Sequence, residues 1–148
     1  MRKILLITFL LTISCNEKDE KFTDKEICQY LENMIENDQR YRFEIMDSTI
    51  SSIKKDSLLK LQKKLDDQNT ELLIEIINQK GWPKTDSLNC EDNHPTFLVF
   101  RHADKKYFDT IQKLIDHEME KGNMNESNYM FIENHLKGRP DFQIKEVK

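Results

Sequence analysis

Apolar residues recur at intervals of three and four along most of this chain, and this spacing constrains the fold more than any other feature. From Thr23 onwards, polar and turn-forming residues separate the apolar stretches from one another. A period near 3.6 residues places the apolar side chains on one face of an α-helix. No two segments form an evident pair of β-strands. The pattern therefore predicts an all-α fold, a single compact domain of about five helices.

The first two helices carry the strongest boundary signals. Thr23-Asp-Lys-Glu26 has the form of a capping box, so a helix should begin there. Its inward residues are predicted to be Ile27, Leu31, Met34, Ile35 and Ile45. A second helix should run from near Asp56 to a stop at Gly81, and Asp66-Asp67 either interrupts it or caps a new helix. Its predicted stripe is Leu58, Leu61, Leu65, Leu72, Leu73, Ile76 and Ile77.

The second half of the chain predicts shorter elements. Residues 84–93 are polar and are interpreted as a loop. Thr96–Phe100 is β-prone enough for a buried strand, but we interpret it as helix because no partner strand is evident. Lys105–Lys121 and Ser127–Leu136 are predicted to be the last two helices.

The N-terminus has the pattern of an export signal. Residues 1–14 combine a basic start with a short apolar run, and ten apolar residues are too few to span a bilayer. Cys15 at the cleavage position makes the segment resemble a bacterial lipoprotein signal, which implies that Cys15 is lipidated. We therefore expect a signal peptide at 1–14, a charged tether at 15–22 and a helical domain at 23–148.

Charge and lipidation bear on location and partners. The acidic stretch after Cys15 resembles the export signal of bacterial surface lipoproteins, so the anchored domain faces either the periplasm or the cell surface. Removing Arg2 and Lys3 with the signal lowers the formal net charge from −4 to −6. An acidic protein gains no electrostatic attraction to the phosphate backbones of nucleic acids, which excludes nucleic acid as a favoured partner. The expected partners are the membrane, through the lipid, and a small polar or anionic ligand or a protein.

Two cysteines remain in the predicted mature domain. Cys28 and Cys90 could form one disulfide in an oxidising compartment. Cys28 lies beside apolar residues of the first helix, where a buried free thiol is equally ordinary. The segment from Cys90 to His94 contains metal-ligand residue types but lacks a second ligand pair at zinc spacing, so we expect no metal and no cofactor. His117 and His135 are interpreted as solvated surface residues.

Charged residues interrupt the core face of the first helix. Continuing the stripe of Leu31 and Ile35 by three and then four residues reaches Asp38 and Arg42. Their spacing allows an ion pair. A charge that points inward must be paired or lie in a wet cavity, because desolvation otherwise costs several kcal/mol.

Asn69 and His102 interrupt two other apolar stripes in the same way. Together with Asp38 and Arg42 they form either a shared polar pocket or a buried network that fixes the packing of the helices. Trp82 is either an aromatic wall of that pocket or a residue that packs over the end of a helix.

Four short motifs contain these residues. They are Asp38-Gln39-Arg40-Tyr41-Arg42, Asp66-x-x-Asn69, Gly81-Trp82-Pro83 and Arg101-His102-Ala103-Asp104. In this order they resemble an uncharacterised bacterial family, a domain of unknown function with DQ-x-x-R, D-x-x-N, GWP and QHAD motifs. No reaction is established for this family, so the resemblance implies none. Arg101 replaces the usual Gln, and the end of the chain, near Gln143, lacks the closing Tyr-Gly, which implies a lost activity or a changed ligand.

These features predict a binding or interaction module with a polar pocket between helices. The candidate ligand-binding residues are Asp38, Gln39, Arg42, Asn69, Trp82 and His102. One alternative is a hydrolase-like enzyme in which His102 is a general base, Asp38 fixes its tautomer or accepts a proton, and Arg42 binds an anionic group. The other alternative is a structural or inhibitory surface protein without a ligand site.

Overall fold

The computed structural model describes residues 21–140, and all regular secondary structure in this range is helical. The helices are α1 (Asp24–Gln39), α2 (Arg42–Met46), α3 (Ser52–Lys80), α4 (Thr85–Leu88), α5 (Phe97–Arg101), α6 (Phe108–Glu120) and α7 (Glu126–Leu136), with a 3₁₀ turn at Lys105–Tyr107. The all-α prediction is confirmed. The predicted signal peptide, Cys15 and the closing segment near Gln143 lie outside the described residues.

The predicted capping box starts α1. The Thr23 side chain accepts a hydrogen bond from the backbone N–H of Glu26, whose carboxylate accepts one from the Thr23 N–H at 2.8 Å. Phe22, just before the cap, is buried and its ring contacts Tyr30 edge-on. Phe22 and Ile27 occupy the two positions of a hydrophobic staple and both belong to the core. The packed structure therefore already includes Phe22, the last residue of the predicted tether.

One hydrophobic core joins α1, α3, α5, α6 and α7. Helix α1 packs on α3 and α5, and α7 packs on α5 and α6. Fully buried apolar side chains at the centre are Ile27, Leu31, Leu73, Ile76, Phe100, Ile111, Ile115 and Ile132. Within residues 21–140, no helix is both long enough and apolar enough to cross a bilayer.

Helix α3 differs from its predicted stripe in the middle. It runs unbroken through Asp66-Asp67, so that pair neither interrupts nor caps a helix. Leu61 is 45% exposed, whereas the neighbouring Gln62 is 2% exposed. The inward face is polar here because α3 packs against the end of α1, where backbone groups need hydrogen-bond partners.

Two further boundaries differ from prediction. The first helix is not continuous to Ile45: it ends at Gln39, and α2 begins at Arg42 after Tyr41 (φ −113°, ψ −6°). The predicted loop at 84–93 contains the short helix α4. Helix α5 confirms the helical interpretation of the β-prone segment.

A disulfide joins Cys28 of α1 to Cys90, which follows α4, across a Cα–Cα distance of 5.4 Å. The alternative of a free thiol at Cys28 is therefore wrong. Because the bond closes a loop between residues 62 positions apart, it removes much of the freedom of the unfolded chain.

Reducing the Cys28–Cys90 disulfide should lower the free energy of unfolding by about 2–4 kcal/mol, since a long loop is released in the unfolded chain. Urea unfolding with and without reductant measures this loss. The Cys15→Ser variant keeps the Cys28–Cys90 bond and should show the same loss. An unchanged unfolding midpoint after verified reduction would contradict the prediction.

The turn after α3 explains the Gly-Trp-Pro motif. Gly81 has φ +81°, and a Cβ there would lie 3.1 Å from the carboxylate of Glu118. Glu118 is 2% exposed and accepts hydrogen bonds from the Trp82 backbone N–H at 2.7 Å and the Asn123 amide at 2.9 Å. The motif therefore needs glycine for both its backbone conformation and its close approach to a buried acid.

Gly81→Ala should destabilise the protein by about 2–3 kcal/mol, because the new Cβ adds crowding to an unfavourable backbone conformation. Gly138→Ala is the matched control: Gly138 has φ +83° but open space around it, so only about 1 kcal/mol is expected. Chemical denaturation of both variants measures the difference. Equal losses would show that the contact with Glu118 has no energetic effect.

Candidate functional site

Asp38 is the centre of a cluster of polar side chains. Its carboxylate Oδ1 lies 2.6 Å from His102 Nδ1 and 2.9 Å from an Arg42 terminal nitrogen. Its Oδ2 lies 2.5 Å from Gln39 Nε2. The Asp38 side chain is only 2% exposed, so these contacts replace its water shell. An ionised carboxylate only accepts hydrogen bonds, and His102 Nδ1 therefore donates to it.

Three parts of the fold position the cluster. Asp38 lies in the last turn of α1, and Arg42 is the first residue of α2. His102 directly follows α5. The ion pair of Asp38 with Arg42 forms as their spacing predicts, although the helix breaks between them. Two helix ends and one helix start thus meet at a single carboxylate.

Arg42 links two acids. One of its terminal nitrogens lies 2.9 Å from Asp38 Oδ1 and 2.8 Å from Asp66 Oδ1. Its Nε is buried and has no hydrogen-bond partner among the described residues. The guanidinium therefore bridges two carboxylates across the interface of α1 and α3 and offsets part of their mutual repulsion.

Gln62 completes the cluster and was not predicted. Its amide nitrogen lies 3.1 Å from the carbonyl oxygens of Asn37 and Asp38 and 2.9 Å from Asp66 Oδ1. Its oxygen accepts the backbone N–H of Tyr41 at 3.1 Å. Both carbonyls lie in the last turn of α1, where the Asn37 carbonyl also accepts the backbone N–H of Arg40 at 3.3 Å. One side chain of α3 thus helps to cap the helix.

A signal for this part of the cluster is present in the sequence. Gln62, Asp66 and Asn69 continue the stripe from Leu58 to Leu73 at intervals of four, four, three and four residues. The neighbouring leucines, including Leu61, form an alternative apolar stripe. The prediction that this stripe faces inward is wrong in the middle of α3.

The segment that carries His102 is held from the opposite side by α7. His135 Nε2 lies 3.0 Å from the Ala103 carbonyl oxygen. Arg139 donates to the Arg101 carbonyl oxygen at 2.7 Å. His135 is thus half-buried, and its interpretation as a solvated surface residue is wrong; burial lowers its pKa from the usual value of 6.5.

The two carboxylates of the cluster have pKa shifts of opposite sign. Burial would raise the pKa of Asp38, but its bonds to His102 and Arg42 outweigh burial and hold that pKa below 3.8. Burial raises the pKa of Asp66 above 3.8, and its bonds to Gln62 and Arg42 only partly offset this. With both acids ionised and His102 neutral, these two acids and Arg42 carry a formal charge of −1.

Arg42 and His102 connect the cluster to the surface. Their side chains are 24% and 23% exposed, in contrast to Asp38 beneath them. Ion pairs between Lys63 and Asp104 and between Lys106 and Asp67 join α3 to the segment that follows His102. The cluster is therefore a buried acid under a partly exposed imidazole and guanidinium.

The other two predicted site residues lie elsewhere. Asn69 is buried, and its amide donates to the Met34 carbonyl oxygen at 2.9 Å, where it ties α3 to α1. Trp82 follows α3, about 22 Å along the helix axis from Asp66. It packs against Phe100 with ring centroids 6.1 Å apart. The structure thus groups Asp38, Gln39, Arg42 and His102, and it separates Trp82 from them.

The Asp38–His102 pair has a defined chemical capacity. Because Nδ1–H bonds to the carboxylate, Nε2 of a neutral His102 carries the lone pair and can accept a proton or a hydrogen bond. The buried Asp38 stabilises the imidazolium if the ring takes up a proton. Among the described residues, no three histidine, cysteine or acidic side chains are grouped to hold a metal ion.

No protein-family model matches this chain, and no curated protein or solved structure is significantly similar to it.

The lowered pKa of Asp38 predicts a specific loss of stability in acid. Between its pKa in the folded protein and 3.8, the unfolded chain binds more protons, so the native state loses stability as pH falls through this range. Asp66 acts in the opposite sense, because its ionisation is disfavoured in the folded state.

Asp38→Asn should remove this part of the acid dependence and cost about 1.5–3 kcal/mol near neutral pH, the usual contribution of hydrogen bonds to a charged group. Urea unfolding at several pH values measures both effects. Asp56→Asn, at an exposed position of α3, is the control and should change neither. An Asp38→Asn variant with the wild-type pH dependence would contradict the account.

Proposed function

We propose that this protein is an envelope-anchored binding module, a single helical domain that recognises a small polar ligand at the Asp38–His102 pair. The observation that carries the proposal is the 2.6 Å contact between His102 Nδ1 and the buried Asp38 carboxylate. This contact fixes both the orientation and the tautomer of a ring that is partly open to water. A preoriented acceptor at the surface is suited to binding a hydroxyl, amine or amide group.

The charge of the cluster favours a neutral or cationic ligand over an anionic one. The guanidinium of Arg42 already bonds to Asp38 and Asp66. An incoming carboxylate or phosphate would compete with these acids for Arg42. A ligand that donates a hydrogen bond to His102 Nε2 avoids this competition.

A second candidate function, catalysis of hydrolysis, is favoured by the same Asp–His geometry. A buried acid that orients an imidazole is the arrangement by which general bases remove a proton from water or a hydroxyl group. In this alternative His102 Nε2 takes the proton and Asp38 stabilises the resulting imidazolium.

The proposed location rests on the signal-like start of the chain and on Cys15. Phe22 is the first buried side chain among the described residues, and seven residues from Cys15 to Lys21 separate it from the proposed lipid. At about 3.3–3.6 Å per extended residue, such a tether keeps the domain within about 25 Å of the membrane. The order of the four motifs supports assignment to the family of unknown function.

The binding proposal predicts that small hydrogen-bond donors perturb His102. In a fragment screen by NMR, the ring signals of His102 should shift saturably with neutral alcohols or amines and stay unchanged with carboxylates. His102→Ala should abolish the binding that remains intact in His117→Ala, which removes an exposed histidine of α6. For the enzymatic alternative, p-nitrophenyl acetate hydrolysis should depend on His102 and not on His117.

Two results would overturn the proposal. One is that the fragments that shift the His102 ring signals bind to His102→Ala as tightly as to the wild type. The other is a wild-type protein that binds no fragment, together with Asp38→Asn and His102→Ala variants that lose stability and nothing else; the cluster would then be a structural network.

A further inference from the structure

A cavity opens beside the C-terminal end of α3. It has a volume of about 510 Å³ and lies between the segment around α4 and the turn that joins α6 to α7. This size is within the range of about 300–1,000 Å³ typical of small-molecule sites. Because Trp82 forms part of its wall, the cavity lies about 22 Å along α3 from the level of Asp66. It is therefore separate from the Asp38–His102 pair.

Two asparagine amides in the cavity wall are held in fixed orientations. The amide nitrogen of Asn123 donates to the buried Glu118 carboxylate at 2.9 Å, which leaves its oxygen and its second N–H. Thr85 donates to the amide oxygen of Asn93 at 3.0 Å, which leaves the amide nitrogen of Asn93 and a second lone pair. Both amides therefore keep donor and acceptor capacity for a ligand.

Covalent and polar links fix the two sides of the cavity. Lys84 donates to the Gly122 carbonyl oxygen at 3.3 Å, from one side to the other. The Cys28–Cys90 disulfide ties the segment that contains Asn93 to α1. These links hold the shape of the cavity in the folded protein, so ligand binding would cost little conformational entropy.

The polarity of the wall points to a ligand with several neutral hydroxyl groups. Amide and hydroxyl side chains dominate it, and its formal charges, Lys84 and Asp86, cancel. Asn128 also lines the cavity, and no described residue bonds to its side chain. An amide offers a donor and an acceptor side by side, which matches two adjacent hydroxyls. Trp82 also lines the cavity, but it is 7% exposed and gives a ligand only a small apolar surface.

We propose that this cavity, named here the Trp82 cavity, is a binding site for a neutral saccharide. A charged ligand gains no net attraction from its wall. A site for an anion or a cation would need an unbalanced charge, and the cavity presents none among the described residues.

Trp82 is the only tryptophan of the chain and lines the cavity, so its fluorescence reports on occupancy. The full chain is titrated over the millimolar range with glucose, galactose, mannose and N-acetylglucosamine. Glucuronate and glucosamine are the charged counterparts. We expect a saturable change in Trp82 emission with at least one neutral sugar and a change at least tenfold weaker in apparent affinity with the charged ones.

Asn128→Ala should weaken the binding of that sugar at least tenfold. The matched control is Asn33→Ala, an exposed asparagine of α1, which should bind as the wild type does. Ser87→Ala, also in the cavity wall, is the second variant if Asn128→Ala does not fold. Three results would overturn the proposal: no saturable response to any neutral sugar, stronger binding of a charged counterpart, or full affinity in the folded cavity variants. His102→Ala should leave the response unchanged, so this test is independent of the function proposed for the Asp38–His102 pair.

Discussion

The burial of one carboxylate, that of Asp38, is the constraint on which the surrounding structure depends. An ionised acid that is 2% exposed must exchange its water for hydrogen bonds and a counter-charge, or desolvation would destabilise the native state by several kcal/mol. His102, Arg42 and Gln39 supply these interactions. Each comes from a different local structure, so the end of α1, the start of α2 and the residue after α5 have to meet.

The same region provides hydrogen-bond partners for the backbone groups at the end of α1. Helix α1 has no basic residue in its last turn, and Gln62 of α3 caps its last carbonyls together with the Arg40 backbone N–H. Because Gln62 also binds Asp66, which shares Arg42 with Asp38, backbone capping and charge neutralisation form one network. Asp38, Arg42, Asp66 and Gln62 each have at least two partners in this network, and it holds the imidazole of His102 against Asp38.

The sequence allowed the all-α class, the cap at Thr23, and the inward position of Asp38 to be predicted, because each depends on local spacing. The pairing of Arg42 follows from the same spacing. Gln62 was not predicted because Leu61 and Leu65 form an equally regular stripe. Only the position of the end of α1 decides which of the two stripes faces inward. The break at Tyr41 and the Cys28–Cys90 bond depend on contacts between distant segments, which periodicity cannot supply. Trp82 was grouped with Asp38 by its residue type, whereas the length of α3 separates them.

The central claim, that buried Asp38 fixes the tautomer of His102, is tested most directly by long-range ¹H–¹⁵N correlation NMR of the histidine rings. The account predicts that near neutral pH the His102 ring carries its proton on Nδ1 in the wild type. It also predicts that Asp38→Asn abolishes this preference while the ring of His117 stays unchanged. A proton on Nε2 of His102, or a ring that does not respond to Asp38→Asn, would contradict the account.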